Sequence, residues 1–394
     1  MITRVQVKNF RSFADIDVKL GSLNVLVGRN GSGKSAFLDI LRFVRDALRM
    51  GLETAIDNRH GIAALRRWAP RRPYNVEIAL TVQTRRLWGE YSFVIMSGQH
   101  GAYRKGREMC RVGKLPEKVD DGFEIKGNKW ITLPKRLVQR SNRLNRLTES
   151  DTLVLPNMSI FSPFFSRLRH YLTGNFYSIF PNTLRMPQKP SNERQLLDHG
   201  ENFASILRRI QKNRARFTKL LRALGQVVDG VKDLRVRQVG GYLVTELEHH
   251  DLGSLNVEKK SAWFELDQES DGTLRLLGML AALYQNQPSQ ALLALEEPEN
   301  ALHPGALAVL SDVLYEASQQ NQILVTTQSP DLISRFKADE LLVVERTDGI
   351  SQIGPIDEMQ REAVEEQLFT SGDLLRIEGL RREPAVLLGG GRGA

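Results

Sequence analysis

Residues 28–35 read Gly28-Arg29-Asn30-Gly31-Ser32-Gly33-Lys34-Ser35, a complete G-x-x-x-x-G-K-[ST] pattern. Three glycines let the chain turn tightly, so that successive backbone N–H groups of Asn30, Gly31, Ser32 and Gly33 can face phosphate oxygens. A following helix would add its positive N-terminal end. Lys34 is placed to reach the β- and γ-phosphates, and the Ser35 hydroxyl to help hold Mg²⁺. The flanks agree. Leu23 to Val27 is the apolar run of a buried parallel strand, and Phe37, Leu38, Leu41, Val44 and Leu48 repeat at helical spacing. Strand, loop and helix together predict a nucleoside-triphosphate site.

Three further stretches carry chemistry. In Ala291-Leu292-Leu293-Ala294-Leu295-Glu296-Glu297-Pro298-Glu299, an apolar strand delivers two adjacent carboxylates into a loop. One acid, Glu296, suits Mg²⁺ through water; the other, Glu297, suits the attacking water. Glu269-Ser270-Asp271-Gly272-Thr273 opens a leucine-rich helix, either as a simple N-cap or as a helix end presenting N–H groups and the Ser270 hydroxyl to a γ-phosphate. The strand Ile323 to Thr327 ends in Gln328-Ser329-Pro330, where a polar side chain could sense that phosphate and proline could equally be punctuation.

The remaining composition bounds the fold and the partners. A chain of 394 residues, 41% apolar and 26% charged, suits one large domain or a domain with a substantial insertion. One cysteine, Cys110, excludes an intramolecular disulfide framework and a Cys-rich metal site. No apolar run reaches the roughly 18 residues of a membrane helix, so a soluble, cytoplasmic protein without a membrane partner is expected. The net charge of +9 is uneven. Residues 61–150 hold 19 Lys and Arg against 8 Asp and Glu, whereas residues 291–394 hold 8 against 18. An electropositive middle suits nucleic-acid contact, the plainer alternative being solvated faces.

Along the chain, Val5 and Val7 alternate with polar residues as in a strand, and residues 74–96 return to short strands. GFEIKGNKWITL suggests a hairpin, followed by a basic helix from Lys135 to Leu147. A single helix is expected from Asn202 to about Leu224. Phe203, Ile206, Leu207, Ile210, Phe217, Leu220, Leu221 and Leu224 form its apolar stripe, and Arg208, Arg209, Lys212, Arg214, Arg216, Lys219 and Arg222 its cationic face. The expected organisation is a first lobe with the 28–35 loop over residues 1–97, a basic and partly helical insertion over 98–240, a second lobe with the acidic and switch stretches over 241–360, and a C-terminal segment over 361–394.

Taken together, VKNFRSF, GRNGSGKS, SDGTLRLLG, LEEPENALHP and VTTQSPDLI resemble, in that order, the ATP-binding-cassette ATPase heads of the RecF, Rad50 and SMC type. The resemblance is closer to stand-alone bacterial AAA-family ATPases related to the heads of overcoming-lysogenization-defect (OLD) nucleases and of the Septu and PARIS defence proteins. It covers roughly residues 1–50 and 260–350. The implied fold class is α/β, an ABC-type (RecF/SMC-like) P-loop ATPase head with a mixed β-sheet and a mostly helical insertion, without a long coiled coil. The implied cofactors are ATP and Mg²⁺. By resemblance, Gly28 to Ser35 is the Walker A loop, Glu296 and Glu297 the Walker B pair, Ser270, Asp271 and Gly272 the signature, Glu299 to Pro304 the D-loop, and Gln328 the switch residue. Lys34, Glu297 and Gln328 are the catalytic candidates, with Ser35 and Glu296 on the metal.

In such heads one subunit's signature completes its twin's Walker A site, which implies a homodimer or a higher even oligomer. Two departures stand out. Glu296 replaces the more usual Asp, and Gln328 replaces a histidine, so the switch can donate a hydrogen bond but carries no charge. OLD nucleases append a nuclease domain; with only about 40 residues after the LLVVE strand, no nuclease domain is expected in this chain. The implied role is an ATP-dependent switch controlling a separately encoded effector protein, a nuclease or toxin, in anti-phage defence. A RecF-like DNA clamp and a non-hydrolysing scaffold are the alternatives.

Overall fold

The computed structural model describes residues 1–68, 74–98, 101–115, 118–134, 152–250, 261–285 and 292–384. The chain divides into two compact units, Met1–Gly174 with Phe336–Ala394, and Asn175–Arg335.

The first unit opens with β1 (Ile2–Phe10), β2 (Phe13–Lys19) and β3 (Leu23–Val27). Every residue of β3 is buried, as a strand covered on both faces requires. After the 28–33 loop, the helix Lys34–Met50 buries Phe37, Leu38, Leu41, Val44 and Leu48, the stripe the spacing predicts. It also buries Asp39 and Asp46, which the spacing alone does not flag. Arg59 answers both, with Nε 2.9 Å from Asp39 Oδ1 and Nη2 3.0 Å from Asp46 Oδ2. Arg11 adds a contact to Asp39 at 2.7 Å. Arg11 lies in the β1–β2 turn with φ of 48°, so the opening KNFRSF segment grips the helix behind the phosphate loop.

β4 (Val76–Gln83), β5 (Trp88–Ser97), β6 (Tyr103–Lys114), β7 (Lys118–Lys126) and β8 (Lys129–Thr132) continue outward from β1 as an antiparallel ladder. The β7–β8 turn at Gly127 (φ 56°) falls where the hairpin is predicted. Segment 98–240 is thus divided: residues 103–132 extend this sheet, and residues from 175 onward belong to the second unit. Composition hides these strands because Arg104, Arg107, Arg111 and Lys114 occupy exposed positions while Glu108, Cys110 and Val112 are buried. Glu108 is satisfied by the N–H groups of Val154 and Leu155 and by the Tyr91 hydroxyl, all within 3.0 Å. The basic helix predicted for Lys135 to Leu147 lies outside the described residues.

The second unit contains β9 (Asn175–Tyr177), the three-stranded antiparallel sheet β10 (Val231–Val239), β11 (Tyr242–His250) and β12 (Ser261–Glu265), then β13 (Leu292–Glu296) and β14 (Gln322–Thr327). β14, β13 and β9 pair in parallel, with Glu296 beside Thr326. The helix predicted from Asn202 to Leu224 is two helices, Phe203–Gln211 and Arg214–Gly225. Asn213 breaks it by accepting the N–H of Arg216 at 3.2 Å as the cap of a new helix. The break leaves Phe217 and Leu221 half-buried. Part of the cationic face is also occupied, since Arg209 donates to the Ser191 and Glu193 carbonyls and Lys219 pairs with Glu316.

The chain then returns to the first unit as β15 (Leu341–Thr347), β16 (Ile350–Pro355) and the helices Glu358–Glu365 and Ser371–Ile377. The sheet of that unit runs β8-β7-β6-β5-β4-β1-β2-β16-β15-β3. It is mixed: β16 runs parallel to β2 and β15 parallel to β3, and the other pairs are antiparallel. Among the described residues, no helix is long and apolar enough to cross a membrane.

Candidate nucleotide site

In the first unit the 28–35 loop leaves the end of β3 and enters the helix Lys34–Met50. Gly31 and Gly33 adopt φ of 76° and 121°, a region that side chains with a Cβ rarely enter. Gly28 is held by contact instead, for a Cβ there would lie 2.3 Å from the Val344 carbonyl oxygen and 2.7 Å from Ser32 Oγ. This glycine cradle leaves Asn30 and Gly31 exposed at its crest, and Ser35 exposed at the helix start. Lys34 is 5% exposed, and its ammonium folds inward onto the carbonyls of Gly28 (2.6 Å) and Arg29 (3.1 Å). Ser32 Oγ is buried without a hydrogen-bond partner. Close backbone, an exposed hydroxyl and an inward cation fit a magnesium–triphosphate group.

The acidic candidates lie in the second unit. β13 ends at Glu296, and Glu297 follows with φ of 41°, an uncommon conformation for a residue with a Cβ. The Glu297 N–H donates to the Thr326 carbonyl at 2.9 Å, and its Oε2 accepts from Asn300 Nδ2 at 3.0 Å. Glu299 Oε1 accepts the Thr327 hydroxyl (2.6 Å) and the Gln328 N–H (3.1 Å), tying this loop to the predicted switch position. Gly272 packs closely on the same loop, since a Cβ there would approach the Ala301 carbonyl oxygen to 2.5 Å. Ser270, Asp271, Gly272, Glu296, Glu297 and Gln328 therefore belong to one neighbourhood, while Asn30 to Ser35 form the other.

At the head of the helix Asp271–Tyr284, Ser270 Oγ accepts the Thr273 N–H at 3.1 Å, so this serine is a helix cap in the structure. Two residues that motif reading misses hold the segment. Arg185 donates to Asp271 Oδ1 (2.5 Å) and to the Glu269 carbonyl (3.1 Å). His249 Nε2 lies 2.8 Å from Glu269 Oε1. One turn into the helix, burial pulls the Arg275 pKa below its ordinary value while Glu299 and Glu297 oppose that pull. Arg185 and His249 lie far in sequence from the segment they hold, which is why no motif contains them.

A glycine-clasped phosphate loop between a buried parallel strand and a helix, with a carboxylate-ended parallel strand in the second unit, defines a P-loop ATPase head of the AAA/ABC class. The chain belongs to the AAA-domain family whose model, described as "AAA domain, putative AbiEii toxin, Type IV TA system", matches residues 131–334. A model described as "AAA ATPase domain" matches residues 1–60. Endonuclease GajA of Bacillus cereus is 22% identical over 96% of this chain, and the chain spans 65% of GajA. The OLD nuclease of Thermus scotoductus is 50% identical over 44 residues, 11% of this chain and 8% of that protein. An SMC head solved with the C-winged helix domain of ScpA has a TM-score of 0.50 at 16% identity, covering 92% of this chain and 99% of that one. That likeness concerns the fold.

Proposed function

We propose that the chain is an ATP-binding and ATP-hydrolysing switch that works as a homodimer or higher even oligomer. The glycine cradle at Gly28, Gly31 and Gly33 carries this reading, because its close-packed and left-handed positions serve approach of a phosphate group to backbone N–H groups. Asn30 to Gly33 bind the triphosphate through the backbone, and Lys34 turns from the loop carbonyls to the β- and γ-phosphates. Ser35 and Glu296 would hold Mg²⁺, which when bound neutralises phosphate charge. Glu297, tethered by Asn300, orients the attacking water and takes its proton. Gln328 donates a hydrogen bond to the γ-phosphate. Ser270 to Gly272 of one copy complete the phosphate loop of its twin.

The family description names a toxin and a toxin–antitoxin system, and the relatives are named as nucleases. They support a place in bacterial anti-phage defence, with the switch controlling a separately encoded nuclease or toxin. A second reading, a RecF-like clamp on DNA, is favoured by the cations Lys212, Arg214 and Arg222, all on or beside one helix.

Steady-state turnover and equilibrium ATP binding test the assignment. Lys34→Ala should lose ATP binding. Glu297→Gln should keep binding and lose roughly 10²- to 10⁴-fold in turnover, the usual contribution of a positioned base. Wild-type turnover in Glu297→Gln would refute the catalytic role.

A further inference from the structure

The phosphate loop rests on a part of the chain more than 300 residues away. Val344 of β15 places its carbonyl against Gly28, and Ser351 of β16 stands under Gly33, where a Cβ would come within 2.6 Å of Ser351 Oγ. Ser351 is 1% exposed. Its Oγ lies 2.6 Å from the Ser32 carbonyl and 2.8 Å from Ser12 Oγ, and its N–H donates to the Ser12 carbonyl at 2.9 Å. Since the Ser32 carbonyl can only accept, Ser351 donates to it, and the Ser12 hydroxyl then donates to Ser351. The relay from the Ser12 hydroxyl through the Ser351 hydroxyl to the Ser32 carbonyl fixes the peptide plane that joins Ser32 to Gly33. The N–H on that plane is that of Gly33, one of those the proposed phosphate loop would offer to a phosphate.

We propose that Ser351 is a positioning residue for nucleotide binding, acting through the Ser32–Gly33 peptide, and that the β15–β16 hairpin is the seat of the phosphate loop. This rests on the phosphate-loop reading above. A donor held in place before the ligand arrives costs less ordering on binding, so loss of the relay should weaken the phosphate end of any ligand. A residue serving stability alone would leave affinity untouched.

The test is binding of Mg·ATP and of inorganic tripolyphosphate to wild type, Ser351→Ala, Ser12→Ala and Lys34→Ala, with kcat and KM for ATP. Ser351→Ala should weaken both ligands by about fivefold to tenfold, the range of one net hydrogen bond. KM should rise with kcat nearly unchanged, and Ser351→Cys should recover part of the loss. Ser12→Ala, at a less buried site, should act in the same direction even if Ser351→Ala folds poorly. Unchanged affinity for both ligands in both alanine variants, with Lys34→Ala inactive in binding, would overturn the positioning role. Retained binding in Lys34→Ala would instead sink the phosphate-loop reading itself.

Discussion

Glu108 shows how far one residue can depart from what its surrounding composition suggests. It sits in the basic middle region, yet it is fully buried, and burial raises its carboxyl above the ordinary value against the opposing pull of Lys105 and of the Val154 and Leu155 N–H groups. The folded protein therefore keeps this proton to higher pH than the unfolded chain. Stability from this site is present at low pH and falls as pH rises from the ordinary carboxylate range through the raised folded value. Glu108→Gln should flatten that part of the curve, read from urea midpoints across a pH series; an unchanged slope would reject the account. Lys34 is legible in sequence because the carbonyls it meets, those of Gly28 and Arg29, are its neighbours in one motif. Arg185, His249 and Ser351 are not, because each meets its target across 20 to more than 300 residues.

Among elements, buried strands are the most legible in sequence and helix continuity the least. β3 and β13 are apolar-rich runs, interrupted only by Asn24 and the terminal Glu296, and two-sided burial explains them without knowledge of partners. The 202–224 pattern has helical periodicity on both sides of Asn213, so periodicity alone cannot detect the break. The signal that marks it is an Asn ahead of good helix formers. Asn213→Ala should destabilise the protein by about 1 kcal/mol in denaturant unfolding, the usual worth of such a cap. No measurable change would mean that packing alone sets the start of the helix Arg214–Gly225. β6 escapes composition for a different reason, its outward cations masking a strand whose inward side carries Glu108, Cys110 and Val112.

At the scale of the whole molecule, charge asymmetry invites a polyanion, but several cations in it already have partners. Lys105 lies buried beside Glu108 and bonds the Thr152 carbonyl, and Arg107 pairs with Glu124. Lys212, Arg214 and Arg222 are better candidates for nucleic-acid contact. Their joint replacement by Glu should weaken duplex binding and lower the slope of log affinity against log salt by about 0.9 for each phosphate that is no longer neutralised. An unchanged slope would rule out these three cations as a nucleic-acid contact. The proposed dimer, in which nucleotide joins the loop of one copy to the 270–272 segment of the other, is put to the test by sedimentation of Glu297→Gln with and without Mg·ATP. A monomer should become a dimer only with Mg·ATP, and Lys34→Ala should show no such change. A Glu297→Gln protein that binds ATP yet remains monomeric at saturating nucleotide would contradict it.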